Sequence, residues 1–158
     1  MNSTNKNNRA RTVADLAAGE ILTTVEVTAT SEHVFHALTL PDGIAGWWSN
    51  HVTAEPKVGS LTEVRFENGG VFKMEIIDLE VGKNVHWSVR LSPHDWEGST
   101  ITWDLTPISK GANLLFGHHN LTVGATGYSI EETRAGWEYF LGSLKSYLET
   151  GEGTPYVY

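Results

Sequence analysis

A long amphipathic helix near the C-terminal end is the feature that most constrains the fold. Residues 129–151 read SIEETRAGWEYFLGSLKSYLETG, in which Ser129 is followed by Glu132 three positions later, a capping-box pattern. Gly151 and Pro155 are placed to end the helix. The apolar residues share one stripe: Ile130, Trp137, Leu141, Leu144 and Leu148. A helix of about twenty residues spans about 30 Å, so this stripe needs a large apolar surface to cover it.

The middle of the chain supplies that surface as a series of short strands. Between residues 51 and 121, β-type runs alternate with the turn sequences ENGG, EVGKN and PISKG, which suit antiparallel hairpins. Upstream, residues 21–29 alternate as a strand, and Ser31 is placed to cap a short helix that Pro41 interrupts. We therefore predict an α+β fold with one antiparallel sheet, a short helical pair after the first strand, and the long helix packed across the sheet.

Composition limits the classes of function. The 158-residue chain has a net charge of −8, which argues against a nucleic-acid partner, and no cysteine for a disulfide, a thiolate metal site or a nucleophile. It shows no signal-peptide pattern and no apolar run of about 20 residues, so we expect a cytoplasmic protein without membrane insertion. We expect a flexible polar segment over 1–19, a single domain over 20–153 and a C-terminal tail over 154–158.

Three separated motifs resemble one known superfamily. VFHALTLPDGIAGWWS, GSTITWDLTP followed by GANLLFGHHNL, and GWEYFLGSLKSYLETGEG are similar to the START-like (SRPBCC) helix-grip superfamily. Within it they look most like the branch named for the activator of the heat-shock protein ninety ATPase. The resemblance covers about residues 20–153. It implies a helix-grip fold, in which a curved antiparallel sheet of about six or seven strands wraps around the long helix and leaves a hydrophobic cavity between them.

Strand parity assigns the residues that face this cavity. Neighbouring residues on a strand point to opposite faces, and we expect the apolar set of each strand to face the helix. Ile77 and Leu79 reverse the parity of their strand, which predicts a β-bulge near 76–77. Two adjacent indoles in a short Gly-flanked segment cannot both be fully buried, so we expect one in the core and one at the rim. The expected ligand cavity comprises Trp47, Trp48, Phe66, Phe72, Met74, Trp87, Trp103, Phe116, His118, Trp137 and Leu141.

The adjacent histidines His118 and His119 raise the question of a metal or catalytic site. If Phe116 faces the helix, His118 faces it too and His119 points outward, so the pair cannot readily share a metal. A histidine often occupies the position of His118 in the family, which agrees with this parity. Three interpretations of His118 stay open: a buried ring with a satisfied hydrogen bond, a polar contact to a ligand, or an acid–base group.

Two other segments are weaker candidates for a functional site. His33 and His36 have a spacing that can chelate a metal, but no third ligand is indicated, and we predict no metal site, no cofactor and no assigned catalytic residue. The segment SPHDWEG contains His94 and Trp96 in a turn-rich context. We interpret it as a solvated hairpin loop, with a ligand-gating loop as the alternative.

Three classes of function remain. The first, which we favour, is binding of a small hydrophobic or aromatic molecule by a monomer or weak dimer, with His118 orienting the ligand. The second is a co-chaperone-like interaction. The eukaryotic activators carry a separate N-terminal domain that is essential to their best-known action, so the resemblance does not extend chaperone stimulation to this chain. The third is a cyclase or dehydratase that uses His118 as acid or base.

Overall fold

An antiparallel sheet, two short helices and one long helix make up the residues that the computed structural model describes, 19–121 and 129–158. Most of the expected flexible segment therefore lies outside the described residues. The elements follow one another as β1 (Ile21–Val27), α1 (Ser31–Thr39), α2 (Pro41–Ala45), β2 (His51–Thr53), β3 (Leu61–Arg65), β4 (Val71–Glu80), β5 (Asn84–Leu91), β6 (Thr100–Ile108), β7 (Gly111–His119) and α3 (Ile130–Thr150).

The sheet runs in the order β1-β7-β6-β5-β4-β3-β2, with every neighbouring pair antiparallel. Strands β2 to β7 form a meander, and β1 lies beside β7. The tight turns after β3 and β4 use Gly69 (φ 89°) and Gly82 (φ 73°), in a region of backbone space that side chains disfavour. This confirms the α+β helix-grip fold that the sequence predicts.

Helix α3 begins and ends where its sequence predicts. The backbone N–H of Glu132 donates to Ser129 Oγ at 3.0 Å, and the backbone N–H of Ser129 donates to Glu132 Oε1 at 2.8 Å, which completes the capping box. Gly151 ends the helix in the left-handed conformation, with φ 88°. The predicted stripe is buried along its whole length: Ile130, Trp137, Leu141, Leu144 and Leu148.

Two local predictions have different outcomes. The register between β4 and β5 shifts between Ile76 and Asp78, so the predicted bulge is confirmed, and Ile77 is left exposed. The predicted cap of α1 is wrong by one residue. Thr30 has an extended backbone and its hydroxyl accepts from the N–H of His33 at 3.1 Å, whereas Ser31 is already helical.

The residues after α3 return to the segment between α2 and β2. The backbone N–H of Tyr156 donates to Trp48 O at 2.8 Å, and the N–H of Asn50 donates to Tyr156 O at 3.0 Å. These bonds form a short parallel bridge between Tyr156 and Ser49. The expected tail therefore lies along the chain that carries the two adjacent tryptophans.

Candidate ligand-binding site

A pocket of about 460 Å³ lies beside the first turns of α3. It is bounded by the turn between β3 and β4, the loop between β5 and β6, the N-terminal half of α3, and Tyr156. On α3 the lining positions fall at helical spacing, 132, 133, 136, 137 and 140, so they share one face of the helix. Six aromatic side chains among the fifteen described lining residues are here called the aromatic wall: Trp48, Phe66, Phe72, Trp96, Trp137 and Phe140.

The rings of the aromatic wall contact one another in a closed series. Successive centroids lie between 4.9 and 6.5 Å apart in the order Trp137, Trp96, Phe72, Phe66, Phe140 and Trp48. The series closes because Trp48 lies 5.4 Å from Trp137. Most of these separations suit tilted or edge-to-face packing, in which each ring restricts the movement of its neighbours. The wall is therefore one continuous apolar surface made from the sheet, a loop and the helix.

Beneath the wall the space between sheet and helix is filled. Trp48 stacks on Trp47 at 5.3 Å and on Trp87 at 6.1 Å, and both underlying indoles are fully buried. Of the predicted cavity residues, Trp48, Phe66, Phe72 and Trp137 line the pocket. The others are packed in the core and are not among the described lining residues: Trp47, Met74, Trp87, Trp103, Phe116, His118 and Leu141.

The adjacent tryptophans divide between core and pocket, yet both are buried. The indole N–H of Trp47 donates to Ala37 O at 2.8 Å in the core, while Trp48 lines the pocket and is 2% exposed. The expectation that the two could not both be buried is wrong. Their rings stack with an interplanar angle of 10°, and Trp137 covers the outer one, so a short segment accommodates both.

His118 is enclosed by hydrogen bonds at both ring nitrogens. The indole N–H of Trp137 donates to His118 Nδ1 at 3.1 Å, so Nδ1 carries a lone pair and the ring proton resides on Nε2. His118 Nε2–H then donates to Ser99 Oγ at 2.8 Å. The Ser99 hydroxyl donates onward to Trp96 O at 2.5 Å. This chain of bonds joins α3, β7 and the β5–β6 loop.

The burial of His118 determines its protonation state. The ring is fully buried, and burial, with a smaller effect from the neighbouring His119, lowers the pKa of His118 to about 3. The ring is therefore neutral at pH 7, with no nitrogen left for a ligand or a substrate proton. The geometry matches a buried ring with satisfied hydrogen bonds.

His119 lies on the opposite face of β7, as parity predicts. Its Nδ1 is 2.5 Å from Glu20 Oε2 and its Nε2 is 2.9 Å from Thr102 Oγ1. A Cβ added at Gly117 would lie 2.5 Å from His119 Nε2, so the glycine makes room for the ring. Within residues 19–121 and 129–158, no group of three or more His, Asp or Glu side chains is placed to hold a metal ion.

The loop between β5 and β6 contributes more to the site than its sequence suggested. Ser92 Oγ accepts from the backbone N–H groups of His94 and Trp96, each at 3.0 Å, which turns the loop inward. Trp96 is 7% exposed and lies 4.9 Å from Phe72, so the interpretation as a solvated loop is wrong for this residue. A tryptophan in an otherwise polar loop was the available signal. His94, which the sequence placed near a ligand only under the ligand-gating alternative, also lines the pocket, and sequence reasoning missed Phe140 and Tyr156.

Charge is sparse in this lining. Glu132 is the only acidic side chain among the described lining residues, and Lys and Arg are absent from that set. Burial lowers the pKa of His94 below its ordinary value, while a hydrogen bond with the backbone of Pro93 acts in the opposite direction. The His94 ring is therefore mainly neutral at pH 7. The pocket combines aromatic surface with one carboxylate.

Comparison with known proteins places the fold in a family. Residues 28–149 match the family model described as Activator of Hsp90 ATPase homolog 1-like protein. No curated protein matches the chain. In the described part of the chain, no helix combines the length and apolar character needed to cross a bilayer.

Solved structures show the same architecture. The Aha1 dimer from Colwellia psychrerythraea is 30% identical with a TM-score of 0.75, and the match covers 85% of this chain and 98% of that one. DynU16, a protein in the dynemicin biosynthetic locus, is 28% identical with a TM-score of 0.69, covering 85% of this chain and 49% of that one. An AHSA1-like protein from Aeromonas hydrophila shares the fold at 17% identity and a TM-score of 0.67, covering 84% of this chain and 93% of that one.

Proposed function

The chain belongs to the family of Activator of Hsp90 ATPase homolog 1-like proteins, and we propose that it binds a small hydrophobic or aromatic molecule against the aromatic wall. The observation that carries this proposal is that six mutually contacting aromatic rings from the sheet, a loop and the long helix line one pocket of about 460 Å³. Ligand sites in proteins commonly enclose about 300–1,000 Å³ and are lined mainly by apolar groups. A ligand that covers this surface gains about 25 cal/mol for each Å² of apolar area removed from water.

The ligand is proposed to contact the wall and not the deeper residues. Trp47, Trp87, Trp103 and Phe116 fill the interior, so no ligand is needed there to complete packing. His118 supports the wall indirectly, because it accepts from Trp137 and holds the Trp96 backbone through Ser99. A cyclase or dehydratase reaction through His118 has no support from this geometry, because both of its ring nitrogens are engaged.

A second candidate function, interaction with a heat-shock protein ninety chaperone, is favoured by the family match alone. A specific complex with purified chaperone, detected by analytical ultracentrifugation and accompanied by faster ATP hydrolysis, would support it. We keep a cytoplasmic location as part of the proposal, since either function is consistent with it.

Two glycines of α3 provide a matched test of pocket binding. Gly136 lines the pocket and Gly142 does not, yet both are exposed, and a Cβ at either position meets no atom within 4 Å. Gly136→Leu should place a side chain in the pocket, and both leucines should stabilise the helix by about 1 kcal/mol. We expect Gly136→Leu to reduce binding of 1-naphthalenemethanol at least about tenfold in calorimetry, while Gly142→Leu binds like wild type.

The same pair of variants identifies a ligand acquired during expression. Native mass spectrometry and solvent extraction of freshly purified wild type and Gly142→Leu should reveal a bound apolar compound that Gly136→Leu lacks. If neither protein carries a compound and neither binds members of a varied apolar library, the proposal is wrong. Equal binding by all three proteins would place the ligand outside this pocket.

A further inference from the structure

We propose that the ligand of this pocket carries a positively charged nitrogen, as an amine or ammonium group, on an apolar body. This inference rests on the proposed function and names the chemical class of its ligand. It draws on the charge of the lining and on the aromatic character of its surface.

The described lining offers an opposite charge to a cation and none to an anion. Glu132 is the acidic residue of the described lining, and that lining includes no Lys or Arg. A ligand carboxylate or phosphate would lose its hydration in the pocket without meeting an opposite charge, which is unfavourable. An ammonium group would meet a carboxylate at the first turn of α3. The net charge of the whole chain, −8, also attracts cations.

The aromatic wall itself favours a cation. The face of each ring has a negative potential, and a cation within about 6 Å of a ring centroid is attracted to it, most strongly by tryptophan. Three of the protein's six tryptophans, Trp48, Trp96 and Trp137, line this pocket. At the edge of the pocket, the Tyr156 hydroxyl donates to Glu67 Oε1 at 3.2 Å, which leaves its oxygen lone pairs as acceptors and brings a second carboxylate nearby.

The N-terminus of α3, which would ordinarily attract an anion, is already neutralised. Helix N-termini carry partial positive charge and unpaired N–H groups. Here the side chain of Ser129 accepts from the Glu132 N–H, and Glu131 and Glu132 place two carboxylates in the first turn. These groups satisfy the helix end from within the chain, so it adds little attraction for an anionic ligand.

The neutral state of His94 removes the remaining source of positive charge in the described lining. Burial lowers the pKa of His94, so its ring adds no cation to the pocket at pH 7. The Phe72 ring lies 5.5 Å from the His94 ring, which places the imidazole within the aromatic surface. The described lining thus consists of aromatic and uncharged groups with one acidic side chain, Glu132.

A matched series of naphthalene compounds tests the charge preference. The three compounds, 1-naphthylmethylamine, 1-naphthalenemethanol and 1-naphthoate, share one apolar body and differ in the charge of the substituent. Isothermal titration calorimetry at neutral pH should show the amine binding about tenfold more tightly than the alcohol, and the alcohol more tightly than the naphthoate. Binding of the alcohol with equal or weaker binding of the amine would overturn this inference while leaving the proposed function intact. Binding of none of the three, with none from the wider library, would overturn both.

Two charge variants test whether the Glu132 carboxylate causes the preference for the amine. Glu132→Gln keeps the capping box, which accepts glutamine, and removes the carboxylate from the pocket. Its amine-to-alcohol affinity ratio should fall about threefold. Glu131→Gln changes the neighbouring exposed carboxylate, which does not line the pocket, and should keep the wild-type ratio. An unchanged ratio in Glu132→Gln, or an equal fall in both variants, would contradict a role for the pocket carboxylate.

Discussion

At the scale of single residues, His118 is a polar group that holds aromatic residues in place. Its two nitrogens connect Trp137 on the long helix with Ser99, the last residue of the β5–β6 loop, and Ser99 in turn holds the Trp96 backbone. A fully buried polar ring is tolerated when its hydrogen bonds are satisfied, and removal of such a ring leaves its partners unpaired. His118 thus links two members of the aromatic wall without contacting the pocket.

His118 predicts a specific loss of stability in acid. The pKa of His118 is about 3 in the folded protein, against an ordinary value of 6.5, so the unfolded chain binds the proton more readily. The contribution is fully present above pH 6.5 and declines as pH falls towards 3. We expect the free energy of unfolding to fall by about 1 kcal/mol per pH unit in this window.

Urea unfolding of wild type and His118→Gln at several pH values checks this prediction. His118→Gln should be less stable than wild type at pH 7 but should lose less stability on acidification. His33→Gln, at an exposed histidine, serves as the control and should follow wild type. Parallel pH profiles for wild type and His118→Gln would contradict the assignment.

At the scale of elements, helix α3 joins the core to the pocket. Its stripe of apolar residues packs on the sheet, while the lining residues of its first turns face the pocket. The C-terminal tail forms the opposite side of the pocket. Its backbone hydrogen bonds to Trp48 and Asn50 bring the Tyr156 ring centroid to 5.4 Å from the Phe66 ring centroid. The pocket is therefore assembled from elements that lie far apart in the sequence.

The tail can be tested with two tyrosines of the same segment. Tyr156 lines the pocket, whereas Tyr158 stacks on His51 at 4.0 Å and is not among the described lining residues. Tyr156→Ala removes apolar contact area and should weaken binding of 1-naphthalenemethanol about threefold in calorimetry. Tyr158→Ala should bind like wild type. Equal affinity for all three proteins would show that the tail does not contribute to the site.

The elements were predictable where the signal is local. The capping box gave the start of α3, alternation gave the inward faces of β5 and β6, and a parity change gave the bulge at Ile77. Parity gives the face on which a residue lies but not its depth. It could not separate Phe72, which lines the pocket, from Trp103, which fills the core. The inward turn of the β5–β6 loop and the return of the tail depend on long-range packing, for which adjacent residues carry little information.

At the scale of the whole molecule, the space between sheet and helix is divided into a filled part and a pocket. Trp47, Trp87 and Trp103 fill one part completely, and the aromatic wall lines the other. A close-packed interior changes little when a ligand binds nearby, so the wall offers a nearly preformed surface. Of the residues expected to line a ligand cavity, those in the filled part are buried in the core, and the assignment of the others to a ligand site stays a prediction.

The oligomeric state also belongs to this scale. The 30% identical protein from Colwellia psychrerythraea is an Aha1 dimer, whereas the sequence alone led us to expect a monomer or weak dimer. That expectation stays a prediction.

The indole N–H spectrum tests the central claim most directly, because the six tryptophans report separately on pocket and core. In a ¹⁵N-labelled sample titrated with 1-naphthalenemethanol, the indole signals of Trp48, Trp96 and Trp137 should shift strongly, since their rings line the pocket. The signals of Trp47, Trp87 and Trp103 should shift little, since these rings are fully buried beneath it. No saturable shift of any indole signal, or shifts centred on the three core tryptophans, would contradict a ligand bound at the aromatic wall.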